Sequence, residues 1–164
     1  MTPALGMAKR VIPSLFDRLT DLEPLHSREV SPPEWDQREL FKASVARDLA
    51  NLLNTRRSDA DIPEAFELTR GSVKAYGMPD YTSAPVDGEA IRRGIERVVR
   101  TFEPRLSLVE VTMNPDDPPD SRGVRFRLWF RIAAVLRTDI GAEEVVYDAS
   151  LPKESRRFQV VIGR

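Results

Sequence analysis

Glu103-Pro104-Arg105 is the place in this 164-residue sequence where residue order alone sets two chemical groups against each other. A carboxylate and a guanidinium stand two positions apart, and the proline between them has a fixed φ. Pro104 also disfavours helical backbone at Glu103, so a helix arriving from Asp87 ends at about Phe102 and Glu103 turns extended. Residues two apart in extended chain share a face, so the two charges project side by side. Such a pair has two uses. It can cap the fold internally, with Arg105 pairing a carboxylate of its own chain, or it can meet complementary groups on a partner.

Other chemistry finds less support. Glycoside hydrolysis needs two carboxylates across the scissile bond, about 5–5.5 Å apart for retention or about 6.5–9.5 Å for inversion. Among 26 acidic residues some pair meets those distances by chance. Glu103 alone has a distinctive setting, and Arg105 beside it would stabilise the carboxylate, the opposite of what a general acid needs. Asp116, Asp117 and Asp120 suggest calcium, but Pro118 and Pro119 interrupt them and no loop-closing glutamate follows. His26 is the single histidine and there is no cysteine, which excludes histidine-rich metal sites, thiolate chemistry and disulfides. No catalytic, cofactor-binding or metal-binding residue is expected, and no small-molecule substrate.

The elements that must hold the corner read as follows. Ile91, Gly94, Ile95, Val98 and Phe102 recur at the spacing of one helical face, with Asp87 as N-cap and arginines crowding the C-terminal half. Leu106 to Met113 continues as a strand. Upstream, Ser31-Pro-Pro-Glu34 is a helix start, and Trp35, Phe41, Val45, Leu49, Leu52 and Leu53 mark a buried stripe reaching Asn54. Arg56 to Ile62 reads as a loop, Pro63 to Leu68 as a short helical turn and Val73 to Tyr76 as a brief ordered piece before a bend at Gly77 and Pro79. Tyr81 to Val86 is a connector, and Asn114 to Gly123 a proline- and aspartate-rich loop.

Val124 to Leu136 alternates cleanly and is long enough to expect a bend or bulge; Val145 to Ala149 and Phe158 to Ile162 add two further strands. The other face of the long strand carries Arg125, Arg127, Trp129 and Arg131, either as cross-strand ion pairs or as a partner surface. Together this predicts an α+β fold: N-terminal helices and a central helix packed on one face of a mainly antiparallel sheet of about four strands. Residues 1–30 form an arm, in which Leu15, Phe16 and Leu19 make an amphipathic turn that is either plain surface or a docking peptide. Residues 31–164 form a single domain.

Lys+Arg 25 against Asp+Glu 26 leaves a formal charge of -1, which argues against nucleic acid. No apolar run approaches the ~20 residues of a membrane span, and Lys9 and Arg10 run into Pro13 without a signal-peptide core. A soluble, cytoplasmic protein with no membrane insertion is expected.

Several stretches together resemble one family. Pro13-Ser-Leu-Phe-Asp-Arg-Leu19, Val45-Ala-Arg-Asp-Leu-Ala-Asn-Leu-Leu-Asn-Thr-Arg-Arg57, Ser72-Val-Lys-Ala-Tyr-Gly-Met-Pro-Asp80 and Ile95-Glu-Arg-Val-Val-Arg-Thr-Phe-Glu-Pro-Arg-Leu106 are similar to TssE. TssE is the small baseplate subunit of the type VI secretion system, related to the lysozyme-like wedge protein of contractile phage tails. The likeness runs over roughly residues 13 to 162, and departs from the family at Lys74, Ala75 and Met78. It implies a structural role in the cytoplasmic baseplate wedge, docked at the inner-membrane complex, in contact with TssF and TssG and with TssK as a further candidate. It also implies strands on which the TssB–TssC sheath begins to polymerise. Glu103, Pro104 and Arg105 match the family's signature, which implies that they bind the baseplate core. A peptidoglycan hydrolase and a small regulatory binding protein on the same fold are the alternatives.

Overall fold

In the computed structural model the described residues are 14–19, 34–57, 62–63, 65–81, 87–114, 127–139, 141–152 and 155–163. Helix α1 spans Leu15–Leu19, α2 Glu34–Asn54, α3 Glu67–Arg70 and α4 Gly88–Phe102, with a 3-10 turn at Val73–Ala75. Strands β1 (Leu106–Asn114), β2 (Arg127–Thr138), β3 (Gly141–Pro152) and β4 (Gln159–Ile162) pair antiparallel in the order β1-β2-β3-β4. This is the expected α+β class.

Both long helices follow their apolar stripes. In α2, Phe41, Val45, Leu49, Leu52 and Leu53 are buried, and the helix ends at Asn54 as expected. The capping residues expected at Ser31 to Pro33, and the Trp35 side chain, lie outside the described residues. In α4, Ile91, Gly94, Ile95, Val98 and Val99 are buried, and Asp87 Oδ1 accepts the Glu89 N–H at 3.0 Å, the expected N-cap. Phe102, its last residue, meets Tyr76 edge-on with ring centroids 5.3 Å apart. Helix α4 lies over β1 and α2 over β4, so one face of the sheet is covered. Phe130, Ile132, Ala134 and Leu136 of β2 and Val145, Tyr147 and Ala149 of β3 point into that core.

On the opposite face Arg131 lies across from Asp148 and pairs with it at 3.0 Å, the cross-strand ion pair expected there. Residues 124–126, and the Arg127 side chain, fall outside the described residues.

Three details differ from expectation. Among the described residues the bulge lies in β1 and not in the long strand: register shifts between Ser107 and Glu110, where Leu108 takes φ 51° and stands exposed. Strand β3 is far longer than Val145 to Ala149, because Gly141 to Glu144 and Ser150 to Pro152 pair with β2 despite their polar character. Helix α3 begins at Glu67, later than the turn expected over Pro63 to Leu68; a Phe66 N–H bond to Pro63 O, 3.0 Å, forms a turn ahead of it.

The bend at Gly77 is as expected, and only glycine suits it. Its φ is 103°, and a Cβ there would stand 2.3 Å from Thr55 O, where the strand-like contact between Arg56 and Met78 is made. The arm apart from residues 14–19, the connector 82–86, and the loop with Asp116, Asp117 and Asp120 lie outside the described residues.

Candidate functional site

Helix α4 delivers the corner and β1 carries it away. Glu103 is the C-cap of α4, its N–H still bonded to Val99 O at 3.0 Å, with φ -117° and ψ 81°. The Leu106 N–H then donates to Glu103 O at 3.1 Å, closing a four-residue turn with Pro104 and Arg105 in the middle. The two charged groups do lie side by side, but the cause is this turn and not an extended segment.

Arg105 Nε donates to Glu103 Oε1 at 2.7 Å and Nη2 to Oε2 at 2.6 Å, a bidentate fork, and the Arg105 N–H reaches Oε1 at 3.3 Å. The same Nη2 donates to Asp48 Oδ2 on α2 at 2.8 Å. Asp48 Oδ1 accepts from Arg47 Nη2 and Nε at 3.0 and 3.2 Å, and Arg47 Nη1 donates to Asp17 Oδ1 on α1 at 2.6 Å. Asp17 Oδ2 takes the hydroxyls of Ser14 and Ser44, both at 2.6 Å. Five alternating charges thus run from α1 across α2 to the corner. Phe16 lies under Arg47 at 4.7 Å and Phe41 near Arg105 at 5.7 Å, measured from ring centroid to guanidinium carbon.

Burial ranks the three motif residues. The Glu103 side chain is 7 % exposed and that of Arg105 22 %, while Pro104 stands exposed at the turn. Burial works against charge on Arg105, but the hydrogen bonds and charge of Glu103, and then of Asp48, outweigh it and raise its proton affinity. At the far end burial again opposes ionisation of Asp17, yet the bonds from Ser14, Ser44 and Arg47 and the charge of Arg47 hold its carboxyl down to about 2.

The internal pairing that the sequence allowed is therefore present in the chain by itself, and its second carboxylate is Asp48. Sequence reasoning missed Asp48, Arg47 and Asp17. One signal was available: Asp48 lies three residues after Val45 and four before Leu52, on the flank of the apolar stripe.

The two edges of the sheet differ. Along β1, Val109 O accepts Arg100 Nη2 at 2.7 Å and Nε at 3.2 Å, and Val111 O accepts Arg92 Nη1 at 3.1 Å. Glu96 secures both arginines, at 2.9 and 2.6 Å. Guanidinium groups thus occupy carbonyls that another strand would need.

At β4, Asn54 takes the Phe158 N–H on Oδ1 at 2.7 Å and gives Nδ2 to Phe158 O at 2.9 Å, mimicking one strand residue. The Gly163 N–H bonds Val146 O at 2.8 Å. Antiparallel alternation then turns Val161 and Gln159 towards β3, and the main-chain groups of Val160 and Ile162 outward.

Among the described residues no three His, Cys, Asp or Glu side chains gather in a way that could hold a metal, and no helix is long and apolar enough to cross a membrane. A family model described as baseplate wedge protein gp25 matches residues 39–140, from α2 through the charged corner to the end of β2. No curated protein and no solved structure matches the chain.

Proposed function

The chain belongs to the family of baseplate wedge protein gp25, and from that premise we propose that it is the TssE-type wedge subunit of a type VI secretion system. In this reading it joins TssF and TssG, with TssK nearby, in a cytoplasmic baseplate docked at the inner-membrane complex, and offers a strand on which TssB–TssC sheath polymerisation begins.

The observation that carries the reading is the asymmetry of the sheet. Arginines of α4 occupy the β1 edge, while beyond Phe158 the β4 edge turns the main chain of Val160 and Ile162 outward. Among the described residues one edge is left open, which suits the addition of one strand in one register. The charged corner supports the baseplate half. Exposed Pro104 and the outer rim of Arg105 are the groups a partner can touch, and buried Glu103 acts by fixing Arg105.

The same reading makes the protein a structural part and not a hydrolase. Both Glu103 oxygens are taken by Arg105, so this carboxylate is poorly placed to give a proton to a leaving group.

The test is affinity purification of the tagged chain from its own cells. TssF and TssG homologues are expected with it, TssB–TssC as well when the sheath is assembling, and no clearing of a peptidoglycan suspension. A chain that purifies alone and clears the suspension would overturn the reading.

A further inference from the structure

Away from the corner and both sheet edges, Arg93 and Arg97 stand on the part of α4 that Tyr81 crosses, and the charge of Arg57 acts at the same hydroxyl. The Tyr81 hydroxyl donates to Ala90 O at 3.3 Å and packs on Gly94, where an added Cβ would lie 2.0 Å from its oxygen. Ala90, Arg93, Gly94 and Arg97 share one helical face, so Arg93 and Arg97 flank the ring. Met78 rests on the same glycine, its Cε 3.3 Å from that added Cβ, and the Arg57 N–H bonds Met78 O at 2.8 Å. The Arg57 backbone is thus tied to Met78, which shares Gly94 with Tyr81. The positive charges of Arg97, Arg57 and Arg93 all act on the Tyr81 hydroxyl, against the effect of its burial.

Like Arg38, Arg70, Arg137, Arg156 and Arg157, these arginines have no carboxylate within 4.0 Å among the described residues; what marks them is that their charges act on one tyrosine. Arg47, Arg56, Arg92, Arg100, Arg105 and Arg131 each have one within 4.0 Å. Arg57, Arg93 and Arg97 have none among the described residues, and Arg93 and Arg97 are exposed. The acids nearest in sequence are committed elsewhere: Glu96 to Arg92 and Arg100, Asp80 to Arg56. In a chain of net charge -1, this concentration of positive charge is local.

We propose that Arg57, Arg93 and Arg97, grouped around Tyr81, form a docking surface for a carboxylate-rich segment of a partner protein. Guanidinium forks match carboxylates in pairs, and the aromatic ring gives the segment an apolar floor. The dimensions favour protein over nucleic acid. Arg93 and Arg97 are separated by only ~6 Å along the helix axis, too short a track for the run of phosphates that a nucleic acid needs.

The test uses the full chain and a fluorescent peptide of about ten glutamates, followed by anisotropy at low salt and again with added salt. The wild type is expected to bind, with affinity falling as salt rises. Arg93→Ala/Arg97→Ala, which keeps strong helix formers on an exposed face, is expected to bind at least about fivefold more weakly with unchanged circular dichroism. Arg131→Ala, on the outer face of the sheet, serves as the control and is expected to bind as the wild type does. Failure of the wild type to bind overturns the proposal. So does equal weakening in Arg131→Ala, or tighter binding of a single-stranded oligonucleotide of matched charge.

Discussion

Arg105 grips both carboxylate oxygens of Glu103 across a single proline, and the same guanidinium reaches Asp48 on a helix 57 residues earlier in the chain. One side chain thus ties the end of α4, the start of β1 and the middle of α2. Because Glu103 is buried, the pair cannot be treated as a surface ion pair, whose contribution is only ~0–1 kcal/mol.

Removing the carboxylate leaves Arg105 half-buried with Asp48 alone. Glu103→Ala should lower unfolding stability by about 2–4 kcal/mol, since breaking a buried pair is costlier than never having made it. Arg105→Lys should cost about 1–2 kcal/mol, because an ammonium cannot span two carboxylates as the fork does. Urea unfolding of the purified chain measures both. Losses below about 0.5 kcal/mol would mean that the corner contributes little to the fold.

The α1 contact should weaken in acid. The Asp17 carboxyl sits at about 2 against an ordinary 3.8, so its folded value is the lower one. A group shifted in that direction adds stability that is complete above the unfolded value and is lost as pH falls through the folded one. Hydrogen-exchange protection of residues 15–19 in the wild type should exceed that in Asp17→Asn at neutral pH. The difference should close progressively between about pH 5 and pH 1. A difference that persists undiminished at about pH 1 would contradict this.

Much of this arrangement was legible in the sequence, and the parts that were not share a cause. Both long helices, the Asp87 cap, the stop at Phe102 and the inward set of β2 followed from periodicity and one proline, which are local signals. The full length of β3 could not be read, because Gly141 to Glu144 become strand only through pairing with β2. The pairing of Asp48 with Arg105 and of Asp17 with Arg47 could not be read: the flank position of Asp48 was the one signal, and nothing local names a partner so far away in the chain. The bulge was expected, but in β2; its actual site in β1 depends on the register between the two strands.

The two faces of β4 predict opposite results for neighbouring prolines. Val160 turns its N–H outward, so Val160→Pro should leave pairing with β3 and binding to TssF and TssG intact while blocking sheath assembly. Val161→Pro removes a bond to β3 and should destabilise the chain itself, by about 3 kcal/mol or less on so short a strand. Fluorescence microscopy of a tagged sheath, beside a melting curve for each variant, separates the cases. Normal sheaths with Val160→Pro would exclude β4 as the template.

Gly77→Ala should be among the costliest single-methyl changes. The new Cβ would meet Thr55 O at 2.3 Å in a backbone with φ 103°. A loss of about 2–4 kcal/mol is expected from strain and displaced backbone together. Stability within about 0.5 kcal/mol of wild type would show that the Thr55 to Met78 crossing relaxes freely.

The most direct measurement is a photo-crosslink from the apex of the turn. Pro104 is exposed and outside the charge network, so a benzoyl-phenylalanine in its place leaves the Glu103–Arg105–Asp48 bonds to form. Irradiated in cells, it should give a covalent product with a TssF or TssG homologue, and that product should vanish when Arg105→Ala is added. A chain that still co-purifies with the baseplate, yet crosslinks only from the same probe placed at Arg131 on the sheet's outer face, would contradict assembly through this corner.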